Sequence, residues 1–150
     1  MTPTRRLVLG LALAAVTVAP ALAQNFPVQG RPVTIIGGFP GGAGTDIYSR
    51  RVAEPLSRAL GVPVVVDNRV GAGGNIAMDH VAKAAPDGHT IMMGTSAMLA
   101  INPHLYARMP VDTMKDFVPI IALADVPNAL TVSPQHRPQY TDCKAVIAAA

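Results

Sequence analysis

Phe39 to Arg50, FPGGAGTDIYSR, is the stretch of this chain best suited to holding an anion. Gly41, Gly42, Ala43 and Gly44 stand directly ahead of Thr45 and Asp46. Glycines let the main chain approach a ligand, and the unpaired N–H groups of a helix start point at it with a dipole that favours a carboxylate. The same residues also suit a tight strand-to-helix turn in which Asp46 merely caps the helix. A phosphate cradle is a poor fit, because Asp46 stands where a P-loop needs lysine and repels phosphate. The dinucleotide pattern fails as well: Ile47 follows Gly42-Ala43-Gly44, and Ile76 follows Gly71-Ala72-Gly73, where a third glycine is required.

Bond-making chemistry finds little support. Gly94-Thr95-Ser96-Ala97-Met98 lacks the second glycine of a nucleophile elbow. A secreted hydrolase using Ser96 or Thr45 with a histidine base is the competing function, yet no acid, base and nucleophile share a recognisable spacing. His80, His89, His104 and His136 show no two-ligand spacing on one helix, which argues against a metal site. His80 is expected partly buried beside Ala84, and His89 at a turn. Cys143 is the lone cysteine, which excludes an internal disulfide and any cysteine-based metal site. No cofactor is expected.

The elements that must position these residues form a repeating pattern. Val33-Thr34-Ile35-Ile36, ending in Gly37-Gly38, reads as a buried strand that feeds the Phe39–Thr45 loop. Tyr48, Val52, Leu56 and Leu60 then make a helical stripe that Gly61 stops. Pro55 removes a donor and predicts a kink near Arg51. Val62 to Val66 reads as a second strand, Asn68 to Gly74 as a second glycine-bearing loop, and Asn75 to Ala84 as a helix with Ile76, Ala77, His80, Val81 and Ala84 inward. Pro86-Asp87-Gly88 is a turn, and Thr90 to Gly94 a third strand followed by Thr95-Ser96 and an apolar segment, Ala97 to Ile101. Three strand, loop and helix units imply an α/β fold, a parallel sheet flanked by helices, with all three loops at the carboxyl edge where such sheets bind ligands. Beyond Asn102-Pro103 the pattern weakens. Asp112 to Asp116 is looplike, Phe117 to Ala124 and Ala129 to Val132 read as strands, and Lys144 to Ala150 opens a helix without a cap, as in the amino-terminal piece of a longer protein.

The first 23 residues read as a secretory leader. Arg5 and Arg6 precede an apolar run from Leu7 to Ala19, and Ala21-Leu22-Ala23 is a cleavage site, so an exported protein cut after Ala23 is expected. The two arginines suit an ordinary secretory signal or a twin-arginine one. Without the leader, 10 basic and 9 acidic side chains remain, a net charge of +1 that speaks against nucleic acid or an anionic membrane as partner.

The ordered blocks PVTIIGGFPGGAGTDIYSRRVAEPLSRALGVPVVVDNRVGAGGNIAMDHVAKAAPDGHTIMMGTS, INPHLYARMPVDTMKDFVPI and VPNALTVSP resemble the extracytoplasmic receptors of tripartite tricarboxylate transporters, the Bug receptors, from about Pro32 onward. The resemblance implies a type II-like periplasmic binding protein, two-lobed in the family and truncated here. A first lobe would span 24–110, and the crossover with the start of a second lobe 111–150. It further implies capture of a small organic carboxylate (a di- or tricarboxylate, an amino acid or an aromatic acid) and its delivery to a membrane permease, with no bond made or broken. Carried over residue by residue, Phe39, Gly41, Gly42, Ala43, Gly44, Thr45 and Asp46 would line the pocket, with Asp46 meeting an amino or hydroxyl group directly or through water. Thr95 and Ser96 match the third loop, and Asn75 follows the second. Gly37-Gly38 depart from the apolar, proline-bearing approach usual in the family, which implies a looser loop. A fragment lacking half the clamshell would bind weakly or aggregate.

Overall fold

The computed structural model describes residues 26–127, 129, 131, 133, 135, 139, 140 and 142–148. The leader expected over 1–23 lies outside them. Clustering of contacts divides the chain into a unit ending at Phe117 and a second unit beginning at Val118.

In the first unit, β1 (Val33–Gly37) is the central strand of a parallel sheet ordered β2-β1-β3, with β2 at Val64–Asn68 and β3 at Thr90–Met93. Val33 pairs with Val64 and Gly37 with Asn68 on one side, while Thr34 pairs with Thr90 and Gly37 with Met93 on the other. All three strands therefore end at one edge, as expected from their parallel pattern. Successive β1 side chains alternate between faces. Ile35 packs with Ala53 and Met93 on one face, and Ile36 with Ala77, Met78, Met98 and Val111 on the other. Helices cover both faces, so β1 is β-branched almost throughout.

β2 begins two residues later than the sequence suggests. Pro63 has no N–H to offer a ladder, and its carbonyl instead accepts the Val33 N–H at 2.9 Å. The strand then runs on through Asp67 and Asn68, which pair with Ile36 and Gly37 and so belong to the sheet rather than to the loop. Helix α1 (Gly44–Leu60) continues through Pro55 and buries Asp46, Ser49 and Ala53. It ends where expected, at Gly61, whose left-handed φ of 68° lets its N–H reach the Ser57 carbonyl at 2.9 Å.

A short turn, Ala72–Gly74, leads into α2 (Asn75–Ala82). The buried face of α2 is Asn75, Ala77 and Met78, whereas Ile76 is 51% exposed. Ile76 is thus corrected from the expected inward set and Met78 is added to it, while Ala77 is buried and His80, Val81 and Ala84 are half-buried. Helical periodicity does not fix where a helix starts its rotation, and the left-handed entry turn sets α2 with Met78 toward the core. A π-helical turn, Ala97–Ile101, follows β3 and passes into α3 (Asn102–Leu105). His89 is buried, not merely at a turn. Its Nε2 accepts the Val28 N–H at 3.1 Å, its Nδ1 lies 3.1 Å from the Pro32 carbonyl, and Phe26 stands edge-on to its ring.

The second unit departs from expectation over its first ten residues. Val118–Pro127 holds no strand, and Val118, Ile120 and Ile121 are 88%, 78% and 76% exposed. Apolar β-branched residues favour a strand only when a neighbouring strand is there to pair with and pack upon, and none among the described residues pairs with this run. Of the second expected strand, Ala129 and Thr131 are described and are not in a strand, while Leu130 and Val132 lie outside the described residues, as does His136. Helix α4 (Cys143–Ala148) forms where a helix was expected, with Asp142 Oδ1 accepting the Ala145 N–H at 2.8 Å across its first turn.

Packing at Gly38 yields a stability test. A Cβ there would stand 2.9 Å from Gly74 Cα and 3.1 Å from Met98 Sδ, and the first of these is backbone that cannot swing aside. Gly38→Ala is expected to cost about 1–3 kcal/mol by overpacking. Chemical denaturation of the variant beside the unsubstituted protein measures it.

Candidate functional site

The three strand ends place the loops that carry the sequence-predicted residues on one edge, and residues flanking those predicted positions meet there. Gly38, Gly74 and Met98 come from the first, second and third loop regions respectively and meet in one cluster of close approaches. Gly38 is therefore packed, not loose, which corrects the expectation drawn from the Gly37-Gly38 pair. A Cβ on Gly37 would displace the Asn68 carboxamide, a side chain that also donates to Asp46.

The first loop is organised by Asp46, the third residue of α1 and not its cap. Ala43 holds the N-cap position and makes no side-chain cap bond. Asp46 is 4% exposed. Its Oδ2 accepts the Gly42 N–H at 2.9 Å, its Oδ1 accepts Asn68 Nδ2 at 2.6 Å, and Arg50 Nε lies 3.0 Å from both oxygens. These bonds, with Arg50 first, then Gly42 and Asn68, outweigh burial and hold the carboxyl far below the usual carboxylate range. Asp46 thus bends the loop back over α1, with Gly42 adopting the left-handed φ of 83° that this bend needs.

What the loop presents is backbone. The Gly44, Thr45 and Asp46 N–H groups of the first helical turn have no hydrogen-bond partner among the described residues. Of the loop glycines, only Gly42 needs positive φ. A Cβ on Gly44 would meet nothing within 4 Å, and one on Gly41 only Asp46 Oδ2 at 3.9 Å. The turn's own geometry therefore explains Gly42 but not Gly41 or Gly44. Beside them, Thr45 Oγ1, Ser49 Oγ and Asn68 Oδ1 are buried without a hydrogen-bond partner among the described residues. Phe39 lies half-buried against the Ile36, Met78 and Met98 cluster and anchors the loop's start.

The residues predicted on the other two loops turn inward in part. Asn75 is 4% exposed, and its Oδ1 accepts Asn102 Nδ2 at 2.7 Å. Thr95 Oγ1 accepts the Met98 N–H at 3.2 Å and so starts the π-helical turn, while Ser96 beside it is exposed. Asn68, Arg50 and Asn102 were not singled out by sequence reasoning. Asn102-Pro103 did carry a signal, since Pro103 falls in the first turn of α3 and so marks a helix start.

Residues 48–150 match the family described as tripartite tricarboxylate transporter family receptor. The chain belongs to that family. Protein BugT of Bordetella pertussis is 39% identical over 97% of this chain and 46% of its own length. A UPF0065 protein from the tcbD-tcbE intergenic region of Pseudomonas sp. is 36% identical over 97% of this chain and 43% of its own. The chain thus spans less than half the length of these receptor relatives. Among solved structures, R. palustris Rpa4515 with adipate is 38% identical with a TM-score of 0.72, over 81% of this chain and 40% of that one. MatC (Rpa3494) from Rhodopseudomonas palustris with bound malate is 37% identical with a TM-score of 0.59, over 63% and 31%. The fold is accordingly a portion of a periplasmic binding protein, built on a parallel sheet flanked by helices.

Within this receptor portion Asp46 gives a pH test. Its folded value lies below the unfolded one of about 3.9, so its contribution to stability is complete above about pH 5 and is lost progressively as pH falls from the unfolded value through the depressed folded one. Asp46→Asn should lower the Tm most at neutral pH, with the gap to the unsubstituted protein closing toward pH 2. Melting curves at stepped pH read the gap directly, and a gap that widens on acidification contradicts this role.

Proposed function

We propose that the protein is a periplasmic solute-binding receptor that takes a small organic carboxylate on the Gly41–Asp46 loop and delivers it to a membrane permease of the tripartite tricarboxylate type. The observation that carries this reading is the pair Gly41 and Gly44, glycine where neither φ nor packing within the chain requires it, beside three unpaired helix-start N–H groups. A carboxylate oxygen seated there would take those N–H groups and the positive end of the α1 dipole. The Thr45 hydroxyl, buried without a partner among the described residues, would have to turn outward to add a further donor. Asp46 acts chiefly by holding the loop. Both its oxygens already carry protein donors, so an amino group on the ligand would reach it through water or by displacing Arg50 or Asn68.

Thr95, Ser96 and Asn75 complete the near wall, Ser96 by its exposed hydroxyl and Asn75 through its place at the start of α2. The relatives solved with adipate and with malate support a short dicarboxylate as the first class to try. The leader ending at Ala23 would carry the protein to the periplasm, where no cofactor is needed for capture and release.

Thermal shift against mono-, di- and tricarboxylates tests the reading on the protein expressed with its complete reading frame. A ligand at 100 times its Kd should stabilise by about 2.7 kcal/mol. Gly44→Ala should keep or raise the unliganded Tm, because alanine is the better helix former and its Cβ has room. It should nevertheless weaken carboxylate binding at least tenfold. Stabilisation by no carboxylate, together with turnover of an ester, would mean a hydrolase instead.

A further inference from the structure

The second loop runs through four successive residues of positive φ. Gly71, Ala72, Gly73 and Gly74 have consecutive φ values of 139°, 48°, 63° and 94°. L-residues visit the left-handed region one at a time, and Ala72 carries a Cβ in it. It is the sole non-glycine with positive φ among the described residues. Two bonds lie within the arch, from the Gly74 N–H to the Gly71 carbonyl at 2.9 Å and from the Asn75 N–H to the Ala72 carbonyl. The hydrogen bonds that side chains make to the arch come from Asn102. Asn102 Nδ2 donates to the Gly73 carbonyl at 3.0 Å and to Asn75 Oδ1 at 2.7 Å. The Tyr106 hydroxyl closes on the same spot, 2.9 Å from where a Cβ on Gly73 would stand.

Asn102 is delivered there by a backbone irregularity. Pro103 has no N–H for the Leu99 carbonyl, so a regular α-helix cannot run from Ala97 through α3. The turn widens to π geometry, with the Asn102 N–H bonding the Ala97 carbonyl five residues back. Asn102 ends 5% exposed against Asn75, itself 4% exposed. A buried amide pair spanning two loops is expensive to leave half-made, so the two loops must set together.

We propose that Asn102 is a positioning residue of the binding site. By clamping Gly73 and Asn75 it locks the left-handed arch, and so fixes where the start of α2 stands relative to the Gly41–Thr45 loop, to which the arch is pinned at Gly38 and Gly74. The proposal rests on the carboxylate-receptor reading for its effect on affinity, and on geometry alone for the clamp.

The test measures two quantities on the protein expressed with its complete reading frame: malate and adipate Kd by calorimetry, and amide hydrogen exchange at Gly74 and Asn75, whose N–H groups make the two bonds within the arch. Asn102→Ala removes both bonds, and Asn102→Ser, a milder change for use if alanine prevents folding, keeps a donor too short to reach both acceptors. Val62→Ala, at a buried position between the Gly61 cap of α1 and the amino end of β2, supplies a comparison of similar destabilisation. Either Asn102 variant should raise Gly74 and Asn75 exchange at least tenfold over Val62→Ala and weaken dicarboxylate binding at least tenfold, while Val62→Ala lowers Tm and leaves Kd unchanged. Equal exchange and equal Kd across the Asn102 and Val62 variants would overturn the proposal. If the unsubstituted protein binds neither these nor any other small carboxylate, the receptor reading falls, while an exchange increase confined to the Asn102 variants still supports the clamp.

Discussion

Backbone set against backbone at Gly38 and Gly74, with the Met98 thioether across both, is the constraint on which the site edge depends. Parallel strands alone would bring three loops to the same side of a sheet without fixing their separation. Here two glycines remove the side chains that would hold the first and second loops apart, and a flexible methionine fills the irregular space above them. Met98 is fully buried and shares a cluster with Ile36, Ala77, Met78 and Val111, so the contact that joins the loops is continuous with the core on that face of the sheet. Loop position is thereby tied to global packing rather than left to local turn preference.

Asp46 shows how charge serves that arrangement. A carboxylate beside a proposed anion site is at first sight unfavourable, yet Arg50 balances its charge and its lone pairs are filled by Gly42, Asn68 and Arg50. The acid satisfies one loop N–H and leaves those of the first helical turn free. It also reaches across to the end of β2, which makes the curvature of the first loop depend on the neighbouring strand being in register.

Much of this was legible in the sequence. The β-branched run of β1, the stripe of α1 with Gly61 at its end, and the repeat of strand, loop and helix all follow from local periodicity, and the three elements form in the structure. The glycine loop was legible as a site candidate because its composition is unusual. What was not legible depends on partners distant in the chain. Asn68 looks like a loop residue until Gly37 pairs with it, and Ile76 looks inward until the left-handed arch turns α2. Asn102 has no local pattern that announces a partner at Gly73. The run from Val118 to Pro127 reads as strand because residue type favours it, but pairing decides.

The strand order also has a kinetic side. The central strand of the sheet is the first to be made, and its partners lie far along the chain: Val33 against Val64, Thr34 against Thr90. Neither pairing can be reached through a hairpin, and each closes a long loop before any ladder bond repays it. β1, almost wholly apolar, must therefore remain unpaired while more than thirty later residues are added, and its Val33, Ile35 and Ile36 stay uncovered over that interval.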